Sequence, residues 1–378
     1  MKKTKIIIPI LISILLINPG CQQDKTEKAA KVTYTSFEPS GENVKFYGRT
    51  NYDGEALLMG LSATGLGFNF TGKHAEFVVH GADNESTESV GERVVVFADN
   101  KRYDDIILDD KHSQTIKVDL QDGDHTIRLI KASECLAGLV KVDEIRTDSE
   151  TITPEEDAKH SIEFIGDSIT CGYGIEGNNS YGFQIDEEDA TKTYAYKLAE
   201  IFDADASLVS FSGCGIRSGW TGDPDVRDTT LLMPNFYKLM GHSTCKIDKE
   251  SIDDIKWGFD EQYDLVVINL GTNDSTYFRS NTTKQKKFKK GYIKFLKKVR
   301  ALNPYSHIMN AVGFFGGNVY DLVEDATKTY MKKTGDKNVS YHEIDPNYMR
   351  QDGYGGNGHP KEISHDKAVK KLKKKIKK

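Results

Sequence analysis

Four short blocks carry residue types that can do acyl chemistry: Gly166-Asp167-Ser168-Ile169, Gly213-Cys214-Gly215, Gly271-Thr272-Asn273-Asp274 and Gly358-His359-Pro360. A serine in a tight turn is a potential nucleophile, and a histidine can take its proton. Glycine N–H groups and an amide side chain can hold the negative oxygen that forms on an attacked carbonyl. Ser168 follows the apolar run Ile162-Glu163-Phe164-Ile165. A strand-to-helix turn there would expose its hydroxyl and aim backbone N–H groups and a helix dipole at new negative charge. Asn273 closes a second apolar run, and its amide joins the N–H groups of Ser168 and Gly215 as the expected oxyanion donors. His359 stands in the glycine-rich loop from Asp352 to Pro360, where Pro360 stiffens its approach, and is the best base among the ten histidines. His365 fits a helix face and is a weak competitor, while Asp274 reads as a local cap. Each residue also has an ordinary role, Ser168 as a helix N-cap and Asn273 in an Asx turn. The ordered set of four argues for a hydrolase, although Ser168 lacks the Gly-x-Ser-x-Gly elbow.

The elements that must position these blocks change character along the chain. From Val44 to about Ile145 short β-type runs recur, among them Ala56–Leu61, Gly67–Phe70, Ala75–Val79, Arg93–Ala98, Asp105–Leu108, Thr115–Val118 and His125–Ile130. Turn signals such as Gln121-Asp122-Gly123-Asp124 separate them, a texture that predicts a β-sandwich or jelly roll over residues 36–150. After Pro154 strands and amphipathic helices alternate. Strands are expected at Ile162–Ile165, Leu208–Phe211, Leu265–Leu270, Ile308–Val312 and Val339–Ile344. Helices are expected at Thr193–Phe202, Thr283–Arg300, Asp321–Lys333 and Glu362–Ile376. Such alternation over residues 155–378 predicts a doubly wound parallel sheet with its site at the carboxyl ends of the strands, where all four blocks fall.

The 378 residues suffice for two domains. With 51 Lys+Arg against 57 Asp+Glu, the formal net charge of −6 offers no basic face for nucleic acid. The lysines of the Thr283–Arg300 helix read as a solvated face opposite Phe288, Tyr292, Phe295, Leu296 and Val299. Residues 1–21 read as an export signal: Lys2, Lys3 and Lys5 precede the apolar stretch Ile6–Ile17, too short to span a bilayer. Gly20-Cys21 at its end resembles a bacterial lipobox, although Asn18 departs from it. The expectation is lipidation of Cys21 and an outer-membrane or cell-surface lipoprotein, tethered by the polar residues 22–35. Simple periplasmic or secreted export is the alternative. Cys135, Cys171, Cys214 and Cys245 lack zinc or thioredoxin spacing and are expected as buried free thiols.

The Gly-Asp-Ser, Gly, Gly-x-Asn-Asp and His-Pro blocks resemble the SGNH (GDSL-type) hydrolases. More narrowly, Ile162–Gly174 and Val267–Asp274 resemble carbohydrate esterase family 2, which joins an N-terminal jelly roll to an SGNH domain. Gly48-Arg49, Phe70-Thr71-Gly72 and His125-Thr126-Ile127-Arg128, followed by Lys131 and Glu134, are similar to its β-domain. The resemblance runs from about Val44 to the end. It implies an SGNH-type α/β domain behind an all-β jelly roll or β-sandwich. It also implies an esterase that removes O-acetyl groups from plant polysaccharides such as xylan or glucomannan, with no metal or other cofactor. It carries over Ser168 as nucleophile, His359 as base, and Ser168, Gly215 and Asn273 as oxyanion donors. Many members carry an aspartate two residues before the histidine, a place held here by Asn357, with Gly356 before it. A Ser168–His359 dyad is therefore expected, oriented by Asn357 or by a backbone carbonyl; Asp352 is a less favoured acid across flexible glycines. A lipase- or thioesterase-like hydrolase remains an alternative, as does a surface glycan-binding protein with weakened catalysis. Trp220, Trp257 and Tyr173 either line a sugar platform or pack in the core.

Overall fold

The structure, a computed structural model, describes residues 32–83, 91–108, 113–260, 262–315 and 319–376. The export signal, Cys21 and most of the expected tether lie outside the described residues. Tyr34–Lys378 form one compact unit.

Ten strands occupy its front part: β1 (Thr35–Phe37), β2 (Lys45–Tyr47), β3 (Thr50–Tyr52), β4 (Leu57–Met59), β5 (Gly65–Gly81), β6 (Arg93–Ala98), β7 (Lys101–Ile107), β8 (Gln114–Lys131), β9 (Val140–Thr147) and β10 (Thr153–Pro154). All pair antiparallel, along the path β3-β4-β9-β5-β8-β6-β7, with β1 on β9 and with β2 and β10 on β5. Leu66, Phe68, Phe77, Val79, Val96, Leu129, Val142 and Ile145 from this sheet share one buried core. The sheet therefore folds over itself as a sandwich does. Four of the expected short runs are halves of the long strands β5 and β8. The turn-like Gln121-Asp122-Gly123-Asp124 does not break β8, because Gly123 sits opposite Gly72 in the ladder, where a register slip beside His74 bends both strands. Strand β9 was not expected; Lys141, Asp143, Glu144 and Arg146 mask the alternation of its inward Val140, Val142 and Ile145.

Behind it lies a five-stranded parallel sheet of β11 (His160–Gly166), β12 (Ala204–Ser210), β13 (Leu265–Ile268), β14 (His307–Val312) and β15 (Val339–Glu343), in the order β12-β11-β13-β14-β15. Its helices are α1 (Ser168–Cys171), α2 (Tyr194–Ile201), α3 (Met233–Phe236), α4 (Thr272–Phe278), α5 (Thr282–Leu302), α6 (Val319–Thr334), α7 (Tyr348–Asp352) and α8 (Glu362–Leu372). Helix α5 buries all five of the apolar residues its periodicity picked out. The first of these five strands in the chain, β11, is flanked by β12 on one side and β13 on the other. The winding direction reverses there, and a crevice opens beyond its carboxyl end.

The two parts are welded by buried polar contacts. Arg49, next to β2, donates to the carbonyls of Tyr237 and Leu239 at 2.8 and 2.7 Å and to the Glu163 carboxylate of β11 at 2.8 Å. The Tyr237 hydroxyl donates to the same carboxylate at 2.6 Å. Both Arg49 and Glu163 side chains have 0% exposure, so the charges compensate each other out of reach of water. Trp257 packs over the Arg49 guanidinium at 5.4 Å, which removes it from any sugar platform.

Candidate active site

Strand β11 ends at Gly166, where a Cβ would stand 2.0 Å from the Thr170 hydroxyl, so only glycine allows the chain to turn this tightly into α1. Asp167 caps that turn by accepting the Ile169 N–H at 3.1 Å. The turn presents the Ser168 hydroxyl to His359, whose Nε2 lies 2.8 Å from Ser168 Oγ across 191 residues of chain. Helix α1 is only four residues long. It sums no macrodipole worth the name and offers instead the N–H groups of its first turn.

His359 Nδ1 faces the Gly356 carbonyl at 3.3 Å. Donation of the Nδ1 proton to that oxygen leaves Nε2 as the acceptor for the serine proton. Asn357 does not orient the ring through its side chain: the amide donates to the Tyr173 hydroxyl at 3.4 Å, and its backbone sits in the left-handed region at φ 50°. Tyr173 in turn packs against the imidazole with ring centroids 4.4 Å apart and the planes tilted by 35°. Asp352 is engaged elsewhere, accepting from Ser364 and pairing with Lys367. Among the described residues no carboxylate is thus hydrogen-bonded to His359, and burial lowers its pKa to about 4. His365 is buried, accepts the Tyr194 N–H at 3.0 Å, and takes no part in the site.

The hydrogen bonds of the turn after β12 leave few of its N–H groups free. The Gly215 N–H is donated to the Leu231 carbonyl at 3.1 Å, and the Gly215 carbonyl accepts from Met233. The expectation that Gly215 supplies an oxyanion donor is therefore corrected, because its N–H is already spent. Gly215 is required for close approach: a Cβ there would lie 1.9 Å from the Ser218 carbonyl oxygen. The Ser212 N–H goes to Glu134 at 2.7 Å, Cys214 N–H to Phe211, and the Gly213 carbonyl accepts from Trp220. Among the described residues this leaves the Gly213 N–H as the free donor of the turn, at φ +76°. Gly213 and Gly215 stand in one block, and the residues alone carry no signal that favours Gly213 over the expected Gly215.

Asn273 is buried at the start of α4, and its amide donates to the Cys214 carbonyl at 2.8 Å, with a long contact of 3.4 Å to Asp167. It thereby stands between the nucleophile's turn and the Gly213 turn. Asp274 does not cap its own helix. Its carboxylate accepts three consecutive N–H groups, from Ile216, Arg217 and Ser218, at 2.8, 2.7 and 2.9 Å, and so pins the Gly213 loop to α4. Burial pushes Asp274 up to about 6 and Asp167, with Asp274 nearby, up to about 7.

One group of potential metal ligands converges among the described residues, Glu134, Cys171 and Glu188, with ligand atoms within 4.8 Å of one another. The ammonium of buried Lys131 donates to the Glu134 backbone carbonyl at 3.0 Å, and one Glu134 carboxylate oxygen already accepts from Ser212. Its chemistry is that of a hydrogen-bonded network. The four later cysteines are free and buried, as expected.

A model of the GDSL-like Lipase/Acylhydrolase family matches residues 164–360, about half of the chain, from β11 through the histidine loop. The chain belongs to that family. The front part matches the Carbohydrate esterase 2 N-terminal model over residues 46–155, so the resemblance to carbohydrate esterase family 2 is borne out together with its two-part fold. This family member is 30% identical over 266 residues to a cellulase/esterase of Acetivibrio thermocellus, covering 68% of this chain and 30% of that protein. It thus spans under a third of the length of that curated relative. It is 24% identical over 288 residues to an acetylxylan esterase/glucomannan deacetylase of Cellvibrio japonicus, covering 71% of each. Among solved structures, a family two carbohydrate esterase from Clostridium thermocellum in complex with cellohexaose superposes with a TM-score of 0.75 at 24% identity, covering 88% of this chain and 98% of that one. An acetyl xylan esterase from Butyrivibrio proteoclasticus superposes with a TM-score of 0.78 at 22% identity, covering 90% and 96%. These likenesses show the shared fold.

Proposed function

We propose that this protein is a carbohydrate O-acetyl esterase acting through a Ser168–His359 dyad. The observation that carries the reading is the 2.8 Å contact between His359 Nε2 and Ser168 Oγ at the switch point of the sheet. In the proposed reaction His359 takes the hydroxyl proton as Ser168 attacks the acetyl carbonyl, and returns it to the departing sugar oxygen. Water, deprotonated by the same imidazole, then releases acetate from the acyl-enzyme. The negative oxygen of each tetrahedral intermediate is held by the N–H groups of Ser168 and Gly213 and by one N–H of the Asn273 amide, which gives up its long 3.4 Å contact to Asp167 while the other N–H stays on the Cys214 carbonyl. The Gly356 carbonyl holds the ring in place of an acid.

A carbohydrate substrate is favoured by exposed aromatic rings on the segments that build the site. Trp220, bonded to the Gly213 carbonyl, is 62% exposed; Tyr354, in the histidine loop, is 42% exposed; and Tyr181, beside the Ser180 carbonyl that holds Asn357, is 94% exposed. Flat exposed rings of this kind stack on the C–H faces of sugars. The names of the Cellvibrio japonicus relatives agree with xylan or glucomannan as the acetylated chain. Export and lipidation at Cys21 complete the reading, on the strength of the lysines and apolar run that precede it. Incorporation of labelled palmitate, lost in Cys21→Ala, is the test of that part.

Acetate release followed by NMR from acetylated xylan, acetylated glucomannan and a long-chain ester, side by side, tests the function. Acetate is expected from one or both polysaccharides, and Ser168→Ala is expected to lower the rate at least about 10⁴-fold. Preference for the long-chain ester would move the assignment to a lipase-like acylhydrolase.

A further inference from the structure

The residue that holds the Ser212 N–H, next to Gly213, does not come from the catalytic domain. Glu134 follows β8 in the β-rich part, is 2% exposed, and reaches across the junction. Its Oε2 accepts the Ser212 N–H at 2.7 Å and lies 3.7 Å from the Cys171 sulfur, at the far end of the turn that opens with Ser168. Lys131 and Glu188 hold the Glu134 backbone in turn: the Lys131 ammonium donates to the Glu134 carbonyl at 3.0 Å, and the Glu134 N–H donates to Glu188 at 3.2 Å. The Ala132 carbonyl accepts the Ala190 N–H at 2.9 Å, anchoring the segment on the catalytic side.

We propose that Glu134 is a positioning residue for the esterase: by holding the Ser212 N–H it fixes the peptide that follows, and so aims the Gly213 N–H at the oxygen of the tetrahedral intermediate. The proposal rests on the esterase reading of the Ser168–His359 pair. The physical argument is one of completeness. The donors of Ser212, Cys214 and Gly215 are tied to Glu134, Phe211 and Leu231. Of these three restraints, the one on Ser212 adjoins Gly213 and is the only one supplied by the other half of the molecule. Glycine at φ +76° has no side chain to hold its own peptide plane, so the neighbouring restraint sets its direction. An oxyanion donor displaced by about 1 Å loses on the order of 100-fold in rate. The β-rich part is then a piece of the catalytic apparatus as well as its neighbour.

The test compares Glu134→Ala, Glu134→Gln and Glu134→Asp in the full chain, with p-nitrophenyl acetate as substrate and a benzeneboronic acid as inhibitor. The boronate adduct on Ser168 places a negatively charged oxygen in the hole. Glu134→Ala is expected to lower kcat about 10- to 100-fold with KM within about twofold, and to weaken boronate inhibition by the same factor. Glu134→Gln, which keeps the length and an acceptor oxygen, is expected to recover most of that loss. Glu134→Asp, shorter by one methylene, is expected to recover little of it. Should Glu134→Ala fail to fold, the comparison of the Gln and Asp variants decides. Folded variants that keep kcat within twofold of the parent, or that change KM alone, overturn the proposal and leave the esterase reading intact. Failure of the parent to release acetate from any polysaccharide overturns the substrate reading and leaves the Glu134 comparison to stand on the activated ester.

Discussion

Acid titration of the enzyme puts the geometry around His359 to a quantitative test. A free histidine titrates at 6.5, whereas burial holds this one at about 4, with only the Gly356 and Asn357 backbone carbonyls favouring the charged ring. The depression withholds about 3 kcal/mol from the imidazolium. Because the neutral ring is the base, activity is present above that pKa and is lost as pH falls through it. The His359 limb of the logarithm of kcat/KM should therefore lie near pH 4, with unit slope below it. Asn357→Asp introduces a carboxylate on the adjoining loop, at a left-handed position that aspartate tolerates as asparagine does. At an effective dielectric constant of about 20 to 40, a carboxylate two residues from the histidine favours the imidazolium by about 1 to 2 kcal/mol, which moves the limb up by about one pH unit. Asp167 and Asp274 titrate higher, at about 7 and 6, so an inflection in that range belongs to them and should not follow the Asn357 substitution. The assay is kcat/KM on p-nitrophenyl acetate at constant ionic strength, corrected for spontaneous hydrolysis, with tyrosine and tryptophan fluorescence reporting the fold. A main limb between pH 6 and 7 that rises with Asn357→Asp would refute the reasoning, since it would show an ordinary, solvated histidine.

Asn273→Ala should lower kcat about 100- to 1000-fold with little change in KM, because the amide acts on the intermediate and not on the bound ester; steady-state kinetics on p-nitrophenyl acetate read this directly. Gly215→Ala should destabilise more than Gly213→Ala in thermal melts. The first drives a Cβ to 1.9 Å from the Ser218 carbonyl, while the second has its nearest contact at 3.6 Å and bears only a backbone strain of about 1 to 2 kcal/mol. Arg49→Met should lower the unfolding free energy by about 3 to 5 kcal/mol in urea, since Glu163 keeps the Tyr237 hydroxyl but loses its cation at a fully buried position. An unfolding midpoint equal to that of the parent would show that the junction tolerates an unpaired carboxylate.

Much of this molecule is legible in its residues because the signals concerned are local. Periodicity placed α2, α5, α6 and the five parallel strands to within a few residues, and the ordered blocks after those strands carried the chemistry, since residues at strand ends are gathered by the topology itself. Where the sequence misled, longer-range pairing had won. Gln121-Asp122-Gly123-Asp124 reads as a turn, yet a partner strand supplies hydrogen bonds that carry β8 through it. Charged residues hid β9 because its outward face is polar.

By itself the sequence determined the family, the reaction class proposed for it through Ser168, Asn273 and His359, and the order of a β-rich part before an α/β part. The tertiary structure alone decided which donors and acceptors are free. Gly213 and Gly215 look alike in the chain, but only one has its N–H spent on Leu231. Asn357 occupies the acid's place in sequence, yet its side chain turns to Tyr173 and a backbone carbonyl faces the imidazole. Glu134 lies 78 residues before the turn it holds. The physical reason is common to all three: a hydrogen bond is an allocation among groups brought together in space, and residue identity fixes what a group can do while its neighbours fix whether it is free to do it.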